Sequence, residues 1–424
     1  MSEKKHKERR RRERAQKEEP KVNKISDVKM AYIMYGKKAF VVPIVIVVIL
    51  GAIIWGIVYN VRKNNAPQET ADNQKEQVNY IWGEIKPGKR NTNNYTMVTS
   101  SDGVEVPVPT GYTASSASDE NSVNGGFVIY EGTDAVTDSN KWNAQCNRNQ
   151  YVWIPIADVS DMYWRDQTTG KKYGTTYTFT SSSYSKSSSN KREPQTTSYD
   201  IQSTYLTQYL NGMSREDFLM EMEIDFDKML NSVATYGGYY IGRYQTGDLS
   251  QATPVIKRIN TDLSNQTWYT MWKKARKLSG TSAGVQMIWG IQWDETLKWL
   301  IDTGEKTYAE IASDSTSWGN YDNNSFTYYT NTSKSTATKS SRTETRIPSG
   351  GYEGANANNV FDLAGNVYDW ILESNGSGTG KGRSYCGGSY YADGDNGPAA
   401  SRGYSVPYGD GSNGIGLRCT LFIK

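Results

Sequence analysis

The chain of 424 residues contains one histidine, His6, set in a basic N-terminal tail. That placement removes whole classes of chemistry from the rest of the chain. A Ser-His-Asp or Cys-His nucleophile needs an imidazole to take its proton. A His-ligated zinc or two-His iron site needs the imidazole as a ligand. Three cysteines remain, Cys146, Cys386 and Cys419, with none between the last two. Paired carboxylates occur at Asp294/Glu295 and Asp393/Asp395, the residue types of general acid–base hydrolysis, but nothing in the sequence sets their separation. The richer signal is for recognition. Between Cys386 and Cys419 stand Tyr390, Tyr391, Asp393, Asp395, Asn396, Tyr404, Tyr408, Asp410 and Asn413, interleaved with Ser and Gly. Tyrosine offers contact area at low entropic cost, and the small polar residues offer adaptable hydrogen bonds. These nine are the candidate ligand-binding residues; solvated loops are the plainer reading.

Such loops need a frame. The run from Asn359 to Lys424, NVFDLAGNVYDWILE, then RSYCGGSYY, then ASRGY, then GIGLRCTLFIK, holds short apolar pieces that read as strands and tight turns. Asn366, following Gly365, suits a left-handed turn whose amide ties the loop to itself, with Trp370 as its anchor. Gly387 and Gly388 predict a bulge or a close backbone approach. Cys386 and Cys419 fall on neighbouring predicted strands, either as a disulfide stapling the last strand or as buried free thiols, with Cys146 as a third candidate partner.

Upstream, short apolar runs bounded by Gly and Pro (YIWGEI, VEVPVPTGY, GGFVIYEG, YVWIPI) predict strands between residues 80 and 155. Residues 168–200 and 313–358, rich in Ser, Thr, Asn and Tyr, read as hydrophilic insertions. Ser214 and Asp217 open a helix whose apolar face is Phe218, Met222, Phe226 and Met229/Leu230, stopped by Gly237 and Gly238. GGYYIGRYQTG (237–247) follows as a strand. Helices are then expected in QTWYTMWKKARKLSG (266–280), with Trp268, Met271/Trp272, Ala275 and Leu278 on one face, and in VQMIWGIQWDETLKWLID (285–302), with Trp293, Leu297 and Leu300 on one face.

Residues 39–59 carry no charge over 21 positions, and at ~1.5 Å per residue they cross a hydrocarbon core of ~30 Å. Residues 1–39 hold 14 Lys/Arg against 6 Asp/Glu, an excess of +8 that leaves −5 for the remainder of a +3 chain. The positive flank predicts a cytoplasmic N-terminus and an extracellular C-terminal part. The expected organisation is a basic tail (1–38), a transmembrane helix from Ala39 to Tyr59, a stalk (60–79), a strand-rich part (80–210) and a C-terminal domain (211–424). Without a basic excess, the large domain is not expected to bind nucleic acid.

Taken in order, VFDLAGNVYDW, CGGSYY (386–391), Arg402 and GIGLRC resemble the closing motifs of the formylglycine-generating enzyme, or sulfatase-modifying factor, family. The strand at 237–247 and the segments at 266–280 and 285–302 are similar to that family's preceding elements, so the resemblance covers residues 237–424, or 150–424 on a wider reading. Two departures stand out: Gln245 replaces a frequent acidic residue, and the Arg-Leu-Pro start of the last segment is missing. The resemblance implies an α+β, loop-rich domain of the C-type lectin-like, sulfatase-modifying factor type. Its enzymes oxidise a substrate cysteine using a closely spaced, copper-binding cysteine pair after the GGS motif. That pair is absent here, and Cys386 precedes the glycines. Copper is therefore not expected, and the resemblance points to a member without the oxidase chemistry. It also implies calcium near the AGNV segment, held by Asn366, Val367 and Asp369, whose oxygens suit a hard cation; a purely structural turn is the other reading. Some proteins with this motif set are hypervariable binders, diversified by retroelements at C-terminal codons for Asn, Asp, Tyr, Ser, Ala and Gly. The expectation is thus a membrane-anchored cell-surface protein that binds a protein or glycan ligand, with a formylglycine-generating-type oxidase as the alternative.

Overall fold

A computed structural model describes residues 84–194, 203–374, 382–407 and 413–424. The tail, the expected membrane span from Ala39 to Tyr59, the stalk, Tyr408 and Asp410 lie outside the described residues. Among the described residues no helix is long and apolar enough to cross a membrane.

Two sheets carry the site. Their strands, in chain order, are β1 (Tyr112–Ala114), β2 (Val128–Glu131), β3 (Gln150–Pro155), β4 (Gly238–Gly242), β5 (Ala283–Met287), β6 (Tyr368–Ser374), β7 (Arg383–Cys386), β8 (Arg402–Ser405), β9 (Ile415–Leu417) and β10 (Cys419–Ile423). The larger sheet is antiparallel throughout, in the order β5-β10-β4-β3-β2-β1. It takes strands from both sides of residue 210, and the C-terminal strand β10 sits one strand in from the edge, between β5 and β4. The smaller sheet runs β8-β7-β6-β9, with β6 and β9 parallel. Since only Arg418 separates β9 from β10, the last residues of the chain join one sheet to the other. The arrangement is a sheet-rich α+β body.

Three helices cover the sheets: α1 (Arg215–Tyr236), α2 (Trp268–Arg276) and α3 (Gly290–Asp302). The Ser214 hydroxyl accepts from the Asp217 amide at 3.0 Å, and Gly237 ends α1 in the left-handed region at φ 84°. Losing such an N-cap costs about 1 kcal/mol. The expected apolar face of α1 is fully buried against β4 and β10. Helix α2 stops at Arg276, two residues short of Leu278, which is half-buried beyond it. Strand β4 is buried on both faces, so Tyr239, Tyr240 and Ile241 all reach the core.

Much of the tryptophan complement is interior: Trp268, Trp272, Trp289 and Trp293 are fully buried. Burying one removes roughly 200 Å² from water, worth about 4–5 kcal/mol at about 25 cal/mol/Å². Trp268 stacks on Trp272 at 6.1 Å, and the buried Arg383 guanidinium lies 4.1 Å from the Trp268 ring centre.

The two hydrophilic insertions are more ordered than their composition suggests. Residues 163–187 form two ribbons, Tyr163–Arg165 with Lys172–Gly174 and Thr176–Phe179 with Tyr184–Ser187. A third pairs Phe326–Tyr329 with Thr336–Lys339. Thr and Tyr favour pleated, cross-paired backbone, and Tyr177 stacks on Tyr184 at 5.3 Å. The surrounding serines mask this pairing signal in the sequence.

Candidate ligand-binding face

The frame of the C-terminal loops is set by a few backbone positions. Asn366 sits at φ 61° after Gly365 at φ 74°. The Asn366 amide oxygen accepts from Asn320 Nδ2 and from the Ile347 amide, both at 3.1 Å, while its Nδ2 donates to Gln245 Oε1 at 3.0 Å. A Cβ on Gly388 would stand 2.1 Å from the Gly397 carbonyl, so the loop folds back onto its own start. The buried Tyr321 hydroxyl donates to the Gly397 carbonyl at 2.9 Å, and Trp293 Nε1 donates to Ala399 O at 3.1 Å. The loop from 387 to 401 is therefore anchored from beneath by buried aromatic donors.

On this frame four tyrosines meet. Tyr368 on β6 and Tyr385 on β7 pack at 4.6 Å between ring centres. Tyr391 approaches Tyr368 at 6.1 Å and lies edge-on to Tyr390 at 5.2 Å. Trp370 supports Tyr385 from the next position on the same face, at 5.7 Å. Two glycines make room: a Cβ on Gly403 would stand 2.2 Å from the Tyr385 ring, and one on Gly414 2.0 Å from that of Tyr391. Tyr390 is half-buried and Tyr391 is 40% exposed. Burial pushes the Tyr385 and Tyr390 phenols up from their ordinary value, so both stay protonated donors at neutral pH.

The remaining candidates are placed differently. Tyr404, 49% exposed, pairs with Ser384, and the two-residue period of a strand puts it on the opposite face of β8 from the Tyr385 side. Asp393 is engaged by Arg342 at 2.7 Å, a link that also reaches Asp322 and pins the loop to the neighbouring insertion. Asp395 and Asn396 are exposed at the loop tip. Asn413 is exposed, and its carbonyl accepts from Ser264 Oγ at 2.9 Å.

Of the oxygens expected to hold calcium, two have protein donors, while Asp369 Oδ1 is buried without one. Val367 O accepts from Gln245 Nε2 at 2.6 Å, and Asp369 Oδ2 accepts from Arg418 Nε at 2.9 Å. Both oxygens lie in the interior, and a guanidinium already neutralises the carboxylate. Among the described residues no three His, Cys, Asp or Glu side chains gather as a metal site. Burial raises the Asp369 carboxyl to about 6, against the opposing pull of Arg418.

All three cysteines are buried and free, so no disulfide joins Cys386 to Cys419. Burial pushes the Cys419 thiol up to about 12, and Thr246 donates to its sulfur at 3.4 Å. The Cys386 thiol is likewise raised well above its ordinary value by burial. Arg402 turns inward, bonding Asp294 Oδ1 at 2.8 Å and Glu373 Oε2 at 3.1 Å. Glu193 completes this buried acidic cluster by accepting the Gly290 and Ile291 amides, each at 2.7 Å, at the start of α3. Burial first, and Glu373 second, lift the Glu193 carboxyl to about 8. Asp294 accepts from the Tyr177 amide at 3.0 Å and pairs with Arg402, while Glu295 accepts from the Tyr177 hydroxyl. They do not face one another across a substrate space.

Sequence reasoning passed over Tyr368 and Tyr385, which form the centre of the face. A signal was present: strand alternation in YDW places Tyr368 and Trp370 on one side, away from the inward Asp369. Elsewhere a cleft of about 360 Å³ is lined by Trp142, Tyr329, Arg258 and Lys334 among others. Arg258 and Lys334 each lie 4.5 Å from the Trp142 ring centre, so its own cations occupy the indole.

No family model matches the chain, and no curated protein sequence matches it. Among solved structures it is similar to the crystal structure of CarF, at 15% identity and a TM-score of 0.28, covering 44% of this chain and 87% of that one. It is also similar to Treponema denticola variable protein 1, at 17% identity and a TM-score of 0.27, covering 43% and 84%. Likenesses at these scores are weak, and the functional reading stands on the site geometry instead.

Proposed function

We propose that the chain is a membrane-anchored surface protein that binds a protein or glycan through the tyrosine face of the smaller sheet. The observation that carries this reading is the continuous set Tyr385–Tyr368–Tyr391–Tyr390, seated on glycines and held by a buried frame. A ligand meeting rigid, amphipathic rings loses little side-chain entropy. Anchoring of the loop from beneath keeps the rings in register while their edges stay open to solvent. The span from Ala39 to Tyr59 supplies the tether in this reading.

The face is also where sequence diversification by a retroelement would act. A mutagenised template repeat or a reverse transcriptase gene beside the coding sequence supports that part of the reading; absence of both counts against it. The oxidase alternative gains no support from the geometry: Cys386 is buried among carboxylates with its thiol protonated, whereas nucleophilic and metal chemistry needs the thiolate.

The direct test is a screen of the protein against displayed proteins and a glycan panel, repeated with Tyr390→Ala/Tyr391→Ala. Loss of the selected ligand with an unchanged thermal melt supports the assignment. Equal binding by the double variant moves the site elsewhere.

A further inference from the structure

Lys172 lies on the Lys172–Gly174 strand of an insertion ribbon, and Asp227 lies in the middle of α1. Their side chains are 2% and 3% exposed, and Nζ is 2.6 Å from Oδ2. An ion pair so deeply buried is an unusual choice for stability alone, because the desolvation of two charges offsets most of their attraction. Burial acts on both partners in the same sense. It lowers the Lys172 ammonium from its ordinary value and raises the Asp227 carboxyl to about 7, against the pull each exerts on the other. The pair is thereby moved towards a neutral amine beside a neutral carboxylic acid.

The surroundings add the remaining parts. Glu223 precedes Asp227 by one helical turn and carries a hydrogen bond from Lys171. Lys171, Lys172, Pro194, Glu223 and Asp227 enclose a cavity of about 10 Å³, close to the least volume that holds one water. Arg165, the cross-strand partner of Lys172, is the other charge acting on both groups.

From this geometry we propose that Lys172 and Asp227 condense in the folded protein to an intramolecular amide, with Glu223 as the proton carrier. The Nζ lone pair attacks Cγ of the protonated carboxyl, and the Nζ–Cγ bond forms. Glu223 takes a proton from Nζ and delivers it to the departing carboxyl oxygen. The Cγ–O bond breaks, one water leaves, and Glu223 ends in the state in which it began. No oxidant, reductant or activated donor is required. The fold holds Nζ 2.6 Å from the carboxyl oxygen, which raises the effective concentration of the two groups as in any intramolecular reaction. The product ties the insertion ribbon to α1 in a chain whose three thiols are all free.

Intact mass spectrometry of the folded full chain tests this. The expected mass is that of the sequence less one water, and proteolysis should yield one branched species joining the Lys172 and Asp227 peptides. Lys172→Met and Asp227→Ala should each restore the full mass. Glu223→Gln should accumulate unlinked chain; unchanged linkage would remove Glu223 from the step. Folded wild-type protein at full mass overturns the proposal whether or not the variants fold, as does a water deficit with the two residues recovered on separate peptides.

Discussion

Arg418 and Asp369 meet at 2.9 Å in the interior, with 0% and 1% of their side chains exposed. The guanidinium also donates to the carbonyls of Gly242, Phe361 and Asp362. One residue between β9 and β10 thus bonds β4, β6 and the turn that leads to Asn366. The site's frame and the larger sheet share this junction.

Arg418→Met should therefore cost far more than a surface substitution. It strands the Asp369 carboxylate and three carbonyls without their donor, and removing one partner of a buried pair costs about 3–5 kcal/mol. Urea unfolding of the purified protein measures the loss. A change below about 1 kcal/mol would mean that water replaces the guanidinium.

Glu193 predicts a pH dependence. Its folded value of about 8 lies above the ordinary 4.5, so the folded state holds a proton that the unfolded state releases. Its contribution is greatest below about 4.5 and declines as pH rises towards about 8. Glu193→Gln should flatten this limb of the stability profile, read as the difference between wild-type and variant melts across that window. Parallel profiles would show that Glu193 is ionised throughout.

At the tyrosine face, Tyr391→Ala should weaken ligand binding by at least about tenfold, the scale of an interface hot spot. Its effect on stability should stay near about 1 kcal/mol, because the ring is already 40% exposed. Isothermal titration and a thermal melt separate the two effects.

Gly414 and Tyr391 should be coupled. A Cβ at Gly414 would lie 2.0 Å from the Tyr391 ring, so Gly414→Ala must displace it. The single change should cost about 1–3 kcal/mol, and Tyr391→Ala should relieve it in the double variant. Equal costs with and without the ring would show that the two residues do not meet.

The proposed tether predicts that the full chain sediments with membranes and that a chain starting at residue 64 does not. Alkaline carbonate extraction that released the full chain would argue against an integral span.

Several elements could be read directly from the order of residues. Ser214 and Gly237 bound α1 because a cap depends on the few residues around it. Asn366 takes a left-handed turn, and Gly388 admits a close backbone approach, because each is a property of one side chain or its absence. Which distant groups meet was decided by topology. Sheet order brings Arg418 to Asp369, an insertion ribbon brings Lys172 to Asp227, and strand register gathers Tyr368 and Tyr385 with Tyr391 while turning Tyr404 to the other face. Local propensity acts over one or two turns of chain, whereas these contacts join residues far apart in sequence, and only the packed sheets select among the pairings that composition allows.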